Sequence, residues 1–159
     1  MSAFLPILSR WTHIVTACIA IGGVFFLRIV LPVGLRAADE ISATAVLLKC
    51  RRVFKMTIHT ALLLFLISGT YNIVHGWADY KAMDPAIGHS LLGLHLLLGL
   101  IVLGILMWIL AAKQQVPAGY MKWLAVSLGL MLVTVAVAST LKTAREAAIR
   151  HPAAVSPAH

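Results

Sequence analysis

Acidic side chains are scarce in this chain. Only five of its 159 residues are Asp or Glu, and none lies inside an apolar run. A carboxylate relay across a membrane, or a paired-carboxylate acid–base site, is therefore not supported. Charge of either sign is thin. Asp, Glu, Lys and Arg make up 11% of the residues, against about 25% in a soluble domain. Cysteine is limited to Cys18, within the first apolar run, and Cys50, at a charged helix entrance. No disulfide is expected between such positions. No Cys-x-x-Cys-His occurs, which argues against covalently attached c-type haem. The N-terminus has no basic stretch before its apolar run and no small-residue cleavage site after it, so it is expected to be retained.

What the chain has in plenty is hydrocarbon. Hydrophobic residues make up 61% of it, and the mean hydropathy is +0.96. Four apolar runs stand out, at about 4–31, 53–77, 86–112 and 120–141. At about 1.5 Å per residue, each can cross a hydrocarbon core of roughly 30 Å. The expected fold is all-α: an integral membrane bundle of four antiparallel helices over 1–143, with both termini on one side. Residues 144–159 read as a polar tail ending in Ala and Pro, expected to be disordered. Pro32 and Gly34 are expected to end the first helix. Residues 41–52 fit either an interfacial helix or an early extension of the second span. Neither an internal repeat nor an interdomain linker is visible.

The formal net charge is +8. Most Lys and Arg flank apolar runs, as membrane anchors do, which argues against nucleic acid as a partner. The termini side, called side A, holds Arg10, Lys81, Lys142, Arg145 and Arg150. The opposite side B holds Arg28, Arg36, Lys49, Arg51, Arg52, Lys55, Lys113 and Lys122. The positive-inside rule makes side B cytoplasmic. In a bacterial inner membrane both termini would then be periplasmic.

Three of the seven histidines lie within spans. His13 and His95 sit at similar depths, roughly 10–13 Å from side A. Two level imidazoles on two helices are what the axial positions of one haem require. At about 100° per residue, Gly88 and Gly99 fall near the His95 face, and Ala17 lies one turn from His13. Small residues there would let a porphyrin approach, although glycines also serve plain helix packing. Arg10, Lys81, Lys142 and Arg145 are the side-A cations available to haem propionates. Arg28 lies about 22 Å along the helix from His13, too far for that role. His59 is near side B. It reads first as a hydrogen-bonded interior histidine, and second as a ligand at another metal, quinone or substrate site. His75 and His89 belong to the side-A interface, and His151 and His159 to the tail. Copper is the alternative metal, but Met56, Met83, Met107, Met121 and Met131 show no close clustering with the histidines along the chain.

The first span, with His13 followed by Gly23, Phe25, Phe26, Leu27 and Arg28, resembles that of the CopD-like and HemJ-like membrane proteins. The segment RRVFKMTIHTALLLFLISG and the span LLGLHLLLGLIVLGILMW are similar to the family's second and third spans. The resemblance covers about three spans. It implies b-haem held by the first-span histidine, here His13, and either protoporphyrinogen oxidation (HemJ-like) or copper transport or resistance (CopD-like). His95 stands where HemJ proteins carry lysine. The polar Asn-Glu feature of their fourth span is missing from 120–141. Both departures favour bis-histidine ligation and electron transfer over porphyrinogen oxidation.

The leading expectation is thus a membrane b-type cytochrome with haem b between His13 and His95. It would exchange electrons with a quinone, a porphyrinogen or a redox protein, or carry out a haem-linked oxidation, and act as an oxidoreductase or electron-transport component. A HemJ-like protoporphyrinogen oxidase, a CopD-like copper-handling protein and a non-catalytic helical subunit are the alternatives. Gly-rich first and third spans are compatible with a homodimer.

Overall fold

A computed structural model describes residues 4–81, 83, 85–111 and 119–150. Helix α1 spans Phe4–Phe25 and is continued by a π-turn at Phe26–Val30, α2 at Leu31–Gly34 and a 3₁₀ turn at Leu35–Ala37. Helix α3 follows at Glu40–His75, then the short α4 at Trp77–Lys81, α5 at Pro85–Ala111 and α6 at Tyr120–Arg150. No strand occurs among the described residues. Four helical stretches are long and apolar enough to cross a membrane. The chain is an all-α, four-helix integral membrane bundle, with Phe4 and Arg150 at the same end of it.

The first span does not stop at Pro32. A proline inside a helix removes one donor and pushes its ring against the carbonyl four residues back. The π-turn just before it relieves that conflict. The Leu31 amide reaches back to the Phe26 carbonyl, so the ladder is already widened where the ring arrives. Helical backbone then continues through Ala37.

Residues 41–52 form the early extension of the second span. Asp39 caps α3, its carboxylate accepting from the Ser42 amide at 2.9 Å. The helix that follows is 36 residues long, roughly 54 Å. That exceeds a hydrocarbon core of about 30 Å, so its cationic first part projects beyond the core on side B. Helix α6 passes the expected boundary at 143 and runs to Arg150. The sequence Thr-Ala-Arg-Glu-Ala-Ala supplies good helix formers there, and Lys142 pairs with Glu146 at 3.8 Å. The expected tail beyond Arg150 and the connection around Lys113 lie outside the described residues.

Packing divides the bundle lengthwise. Helix α1 lies along α3, and α5 along α6. Gly23 lets the first pair close: a Cβ there would stand 2.2 Å from the Phe54 ring. Toward side B the four spans meet in a filled core, with Val24, Leu27, Ile58, Leu106 and Leu124 almost wholly buried. Arg51 is buried there too. Its Nη2 donates to the Ile109 carbonyl at 2.7 Å, and its guanidinium lies over the Tyr120 ring at 5.4 Å. Ile109 is in the last turn of α5, whose carbonyls have no partner within the helix, so the cation answers both a vacant acceptor and the negative helix end. Toward side A a smaller cluster of Met83, Leu92 and Leu141 closes the bundle end. Between the two clusters the side chains do not fill the space.

Large apolar side chains elsewhere face outward, including Leu63, Ile67, Leu97 and Leu100. Lipid tails are as apolar as leucine. The helices are therefore held by close van der Waals packing and hydrogen bonds rather than by exclusion of water. Three of the buried hydroxyls are satisfied within their own helices. Thr16, Ser68 and Thr134 each donate to a carbonyl four residues back, at 2.7–2.8 Å.

Candidate functional site

The unfilled space is a cavity of about 560 Å³ lined by all four spans. It runs from Ile21, Leu62 and Met131 near mid-bundle to Tyr80, Lys142 and Arg145 at the side-A end. Its size falls within the roughly 300–1,000 Å³ of small-molecule and cofactor sites. His13 from α1 and His95 from α5 both line it.

His13 is held firmly. Its ring stacks on Phe65 of α3, with centroids 4.0 Å apart and 21° between the planes. Nδ1 lies 3.2 Å from the Phe65 carbonyl oxygen and 3.3 Å from Ser68 Oγ. A carbonyl only accepts, so Nδ1 carries the proton and Nε2 is left as the basic nitrogen. Ser68 Oγ spends its own proton on the Leu64 carbonyl, at 2.7 Å, and can accept the shared proton of His13. A second tie runs from Ser9 Oγ to the Ser68 carbonyl, at 3.0 Å. Gly69 completes the seat: a Cβ there would come within 3.0 Å of His13 Cε1. A histidine fixed through Nδ1 on a backbone carbonyl, with Nε2 unprotonated, is the usual state of an imidazole that ligates a metal.

His95 is held more loosely. Its Nδ1 is buried and has no hydrogen-bond partner. Thr134 of α6 lines the cavity with it. Both imidazoles border the same hollow. An imidazole nitrogen left without a partner in an apolar setting is costly, and a ligand in the cavity is one way to offset that cost.

Gly99 is on the cavity wall beside His95, and a Cβ there would meet nothing within 4 Å. At the side-A end, Arg145 forms an ion pair with Asp79 and lies over the Tyr80 ring at 5.5 Å. Lys142 and Arg145 are therefore the cations on the cavity lining. Arg10 and Lys81, on exposed positions, are not among its lining residues.

The other candidates fall elsewhere. Gly88 lies off the cavity: a Cβ on it would sit 3.1 Å from Met83 Cβ and 3.4 Å from the Tyr80 carbonyl oxygen. It serves packing of α5 against the α4 connection. His59 is exposed, and its Nδ1–H donates to the Lys55 carbonyl of its own helix. No cavity lining includes it among the described pockets. His75 stacks on Tyr71 at 5.6 Å, and His89 meets Trp77 edge-on at 6.5 Å. Both read as interfacial residues. Of the methionines, Met131 does line the cavity, as does Cys18. No group of three or more His, Cys, Asp or Glu residues placed to hold a metal occurs among the described residues.

Phe65, Ser68, Gly69 and Tyr80 were not legible as site residues from the sequence. The available signal was the Ser68-Gly69 pair at the side-A end of the second span, one helix turn beyond Phe65. It points nowhere until α1 and α3 are known to be partners. Comparison with known proteins adds no relative: no family model, no curated protein and no solved structure matches this chain.

Proposed function

We propose that this chain is a membrane b-type cytochrome, with His13 and His95 as the axial ligands of haem b. The observation that carries the reading is that the two deep histidines of different spans line one cofactor-sized cavity. His13 stands there as a fixed ligand, held through Nδ1 with Nε2 basic. Haem in this place supplies one-electron exchange at its iron. The protein's part is separable from that chemistry. Phe65 and Ser68 set the tautomer and direction of His13. Gly69 and Gly99 leave room beside the two imidazoles. The apolar walls keep water away and lower the local dielectric. Lys142 and Arg145 offer positive charge to carboxylates at the side-A end, and Arg145 already makes such a pair with Asp79.

Were His13 and His95 both to hold the haem iron, they would leave no place on it for substrate, so electron transfer fits better than oxidation of a bound porphyrinogen. A quinone or a redox protein on side A is the partner class. The charge asymmetry supports side B as the cytoplasmic face of a bacterial inner membrane, with both termini periplasmic. The resemblance to CopD-like and HemJ-like proteins supports a haem or metal role for His13. A second reading has an observation of its own. Met131 and Cys18 share the cavity lining with the two histidines, and a mixed His/Met/Cys set suits copper(I).

The test is an absorption spectrum of the detergent-purified full chain produced with ample haem, oxidised and then reduced with dithionite. A sharp reduced band near about 560 nm, lost in both His13→Ala and His95→Ala, is expected for low-spin bis-histidine b-haem. Full retention of the band in both variants overturns this ligation. A featureless wild-type spectrum with stoichiometric copper moves the assignment to the second reading.

A further inference from the structure

Arg28 is an arginine inside an apolar span, in the π-turn on the half of the bundle away from the cavity. Its Nε is shut off from solvent and has no hydrogen-bond partner. No ion pair reaches it among the described residues. The acidic groups among the described residues are engaged or exposed elsewhere: Asp39 caps α3 through Ser42, Glu40 beside it is exposed, Asp79 pairs with Arg145 and Glu146 with Lys142. A guanidinium at such a position is strongly disfavoured unless an anion meets it or it reaches the interface. Haem carboxylates held near His13 would be roughly 22 Å away along the helix. Among the described residues no acidic side chain meets it, which leaves an anion from outside the chain as its counter-charge.

An open groove of about 370 Å³ lies beside Arg28, lined also by Ile29, Ala125, Leu128, Gly129 and Leu132. It has one charged group and an otherwise hydrocarbon surface. Ala125 and Gly129 make its α6 side shallow, and a Cβ on Gly129 would meet nothing within 4 Å. Ile29 and Leu132 are open to the lipid, at 43% and 56% exposure. A small anion alone would leave the apolar length uncovered. A hydrocarbon chain alone would leave the guanidinium unmet. An amphiphile with a phosphate head answers both, and arginine's planar fork suits phosphate oxygens. The same end of the bundle carries most of the chain's Lys and Arg, which draws anionic lipid to that leaflet.

We propose that this groove seats an anionic phospholipid of the side-B leaflet, its phosphate on Arg28 and one acyl chain along Ala125 and Gly129. Native mass spectrometry of the full chain, released from detergent with added phosphatidylglycerol or phosphatidylcholine, tests it. Wild type is expected to retain phosphatidylglycerol about fivefold better than phosphatidylcholine, and Arg28→Gln to bring the two to parity. Arg28→Lys keeps part of the preference. Gly129→Leu fills the groove without touching the charge and lowers retention of phosphatidylglycerol. An undiminished preference in Arg28→Gln overturns the proposal. So does complete displacement of the lipid by millimolar inorganic phosphate, which would mark a site for the ion alone. If Arg28→Gln does not fold, Gly129→Leu decides, and wild-type retention in that variant overturns it.

Discussion

His13 and Phe65 hold each other twice. Their rings stack at 4.0 Å, and His13 Nδ1 donates to the Phe65 carbonyl at 3.2 Å. One residue of α3 therefore fixes both the plane and the tautomer of an imidazole on α1. Ser68, one turn on, shares the Nδ1 proton at 3.3 Å. Outer partners of a ligating histidine typically matter by about 10–100-fold in metal affinity. If the cavity holds haem as proposed, Ser68→Ala, which keeps a good helix former, should weaken haem uptake by about tenfold while leaving the helical content unchanged. Titration of haem into haem-depleted protein measures this, and unaltered affinity would show that the Phe65 carbonyl alone directs the ring.

Gly99 offers a test that separates cavity from fold. A side chain there meets nothing within 4 Å of its Cβ and enters the cavity wall beside His95. Gly99→Leu should leave the melting temperature of the haem-free protein within a few degrees of wild type, or slightly higher. The reduced-minus-oxidised spectrum should lose most of its amplitude. A full haem complement in this variant would place the cofactor outside the cavity.

Gly23 has the opposite character. Its missing Cβ would stand 2.2 Å from the Phe54 ring, and Phe54 is buried in the side-B core. Gly23→Ala must push Phe54 or separate α1 from α3, an overpacking cost of about 1–3 kcal/mol. Small residues at helix contacts matter most where backbones approach this closely. Lowered resistance to unfolding in detergent is expected. Partial recovery in Gly23→Ala with Phe54→Leu would locate the clash.

Asp39 gives a pH dependence to expect outside the spans. Its carboxylate accepts from the Ser42 amide, and that hydrogen bond holds its pKa below the ordinary aspartate value. A depressed folded-state pKa stabilises the cap above the unfolded value, and the stabilisation is lost as pH falls through the folded one. The Ser42 amide should therefore exchange faster, relative to its intrinsic rate, as the solution is acidified through the carboxylate range. Asp39→Asn keeps a capping oxygen without a titrating proton, so its exchange should show no such acid step. A step of equal size in the Asn variant would assign it to another group.

The placement of the two deep histidines shows how far a linear reading reaches. Rise per residue is enough to set His13 and His95 at one level, because helices in a membrane share a fixed frame. It does not show what holds the rings. Gly88 and Gly99 both fall on the His95 face by angle, yet Gly99 borders the cavity and Gly88 packs on Met83. The difference is depth: Gly88 is level with the side-A cluster that closes the bundle end, and Gly99 is level with the hollow. Arg10, a plausible carboxylate partner by position, is exposed off the cavity lining, whereas Lys142 and Arg145 reach it from a helix that was expected to end sooner.

Composition and the length of the apolar runs determine by themselves that this is a four-span helical membrane protein with its ends on one side. Backbone groups in a lipid core must be satisfied within each segment, so about twenty apolar residues admit little else. The same bilayer frame puts His13 and His95 at one depth. Tertiary structure decides the rest. The partnership of α1 with α3 gives His13 its Phe65 and Ser68 and makes Nε2 the basic nitrogen. The filled side-B half and hollow side-A half arise from which side chains meet across four helices, a relation between residues distant in sequence. The helix through Pro32 likewise depends on a π-turn, where one backbone hydrogen bond shifts by a residue to accommodate a ring that composition alone reads as a stop.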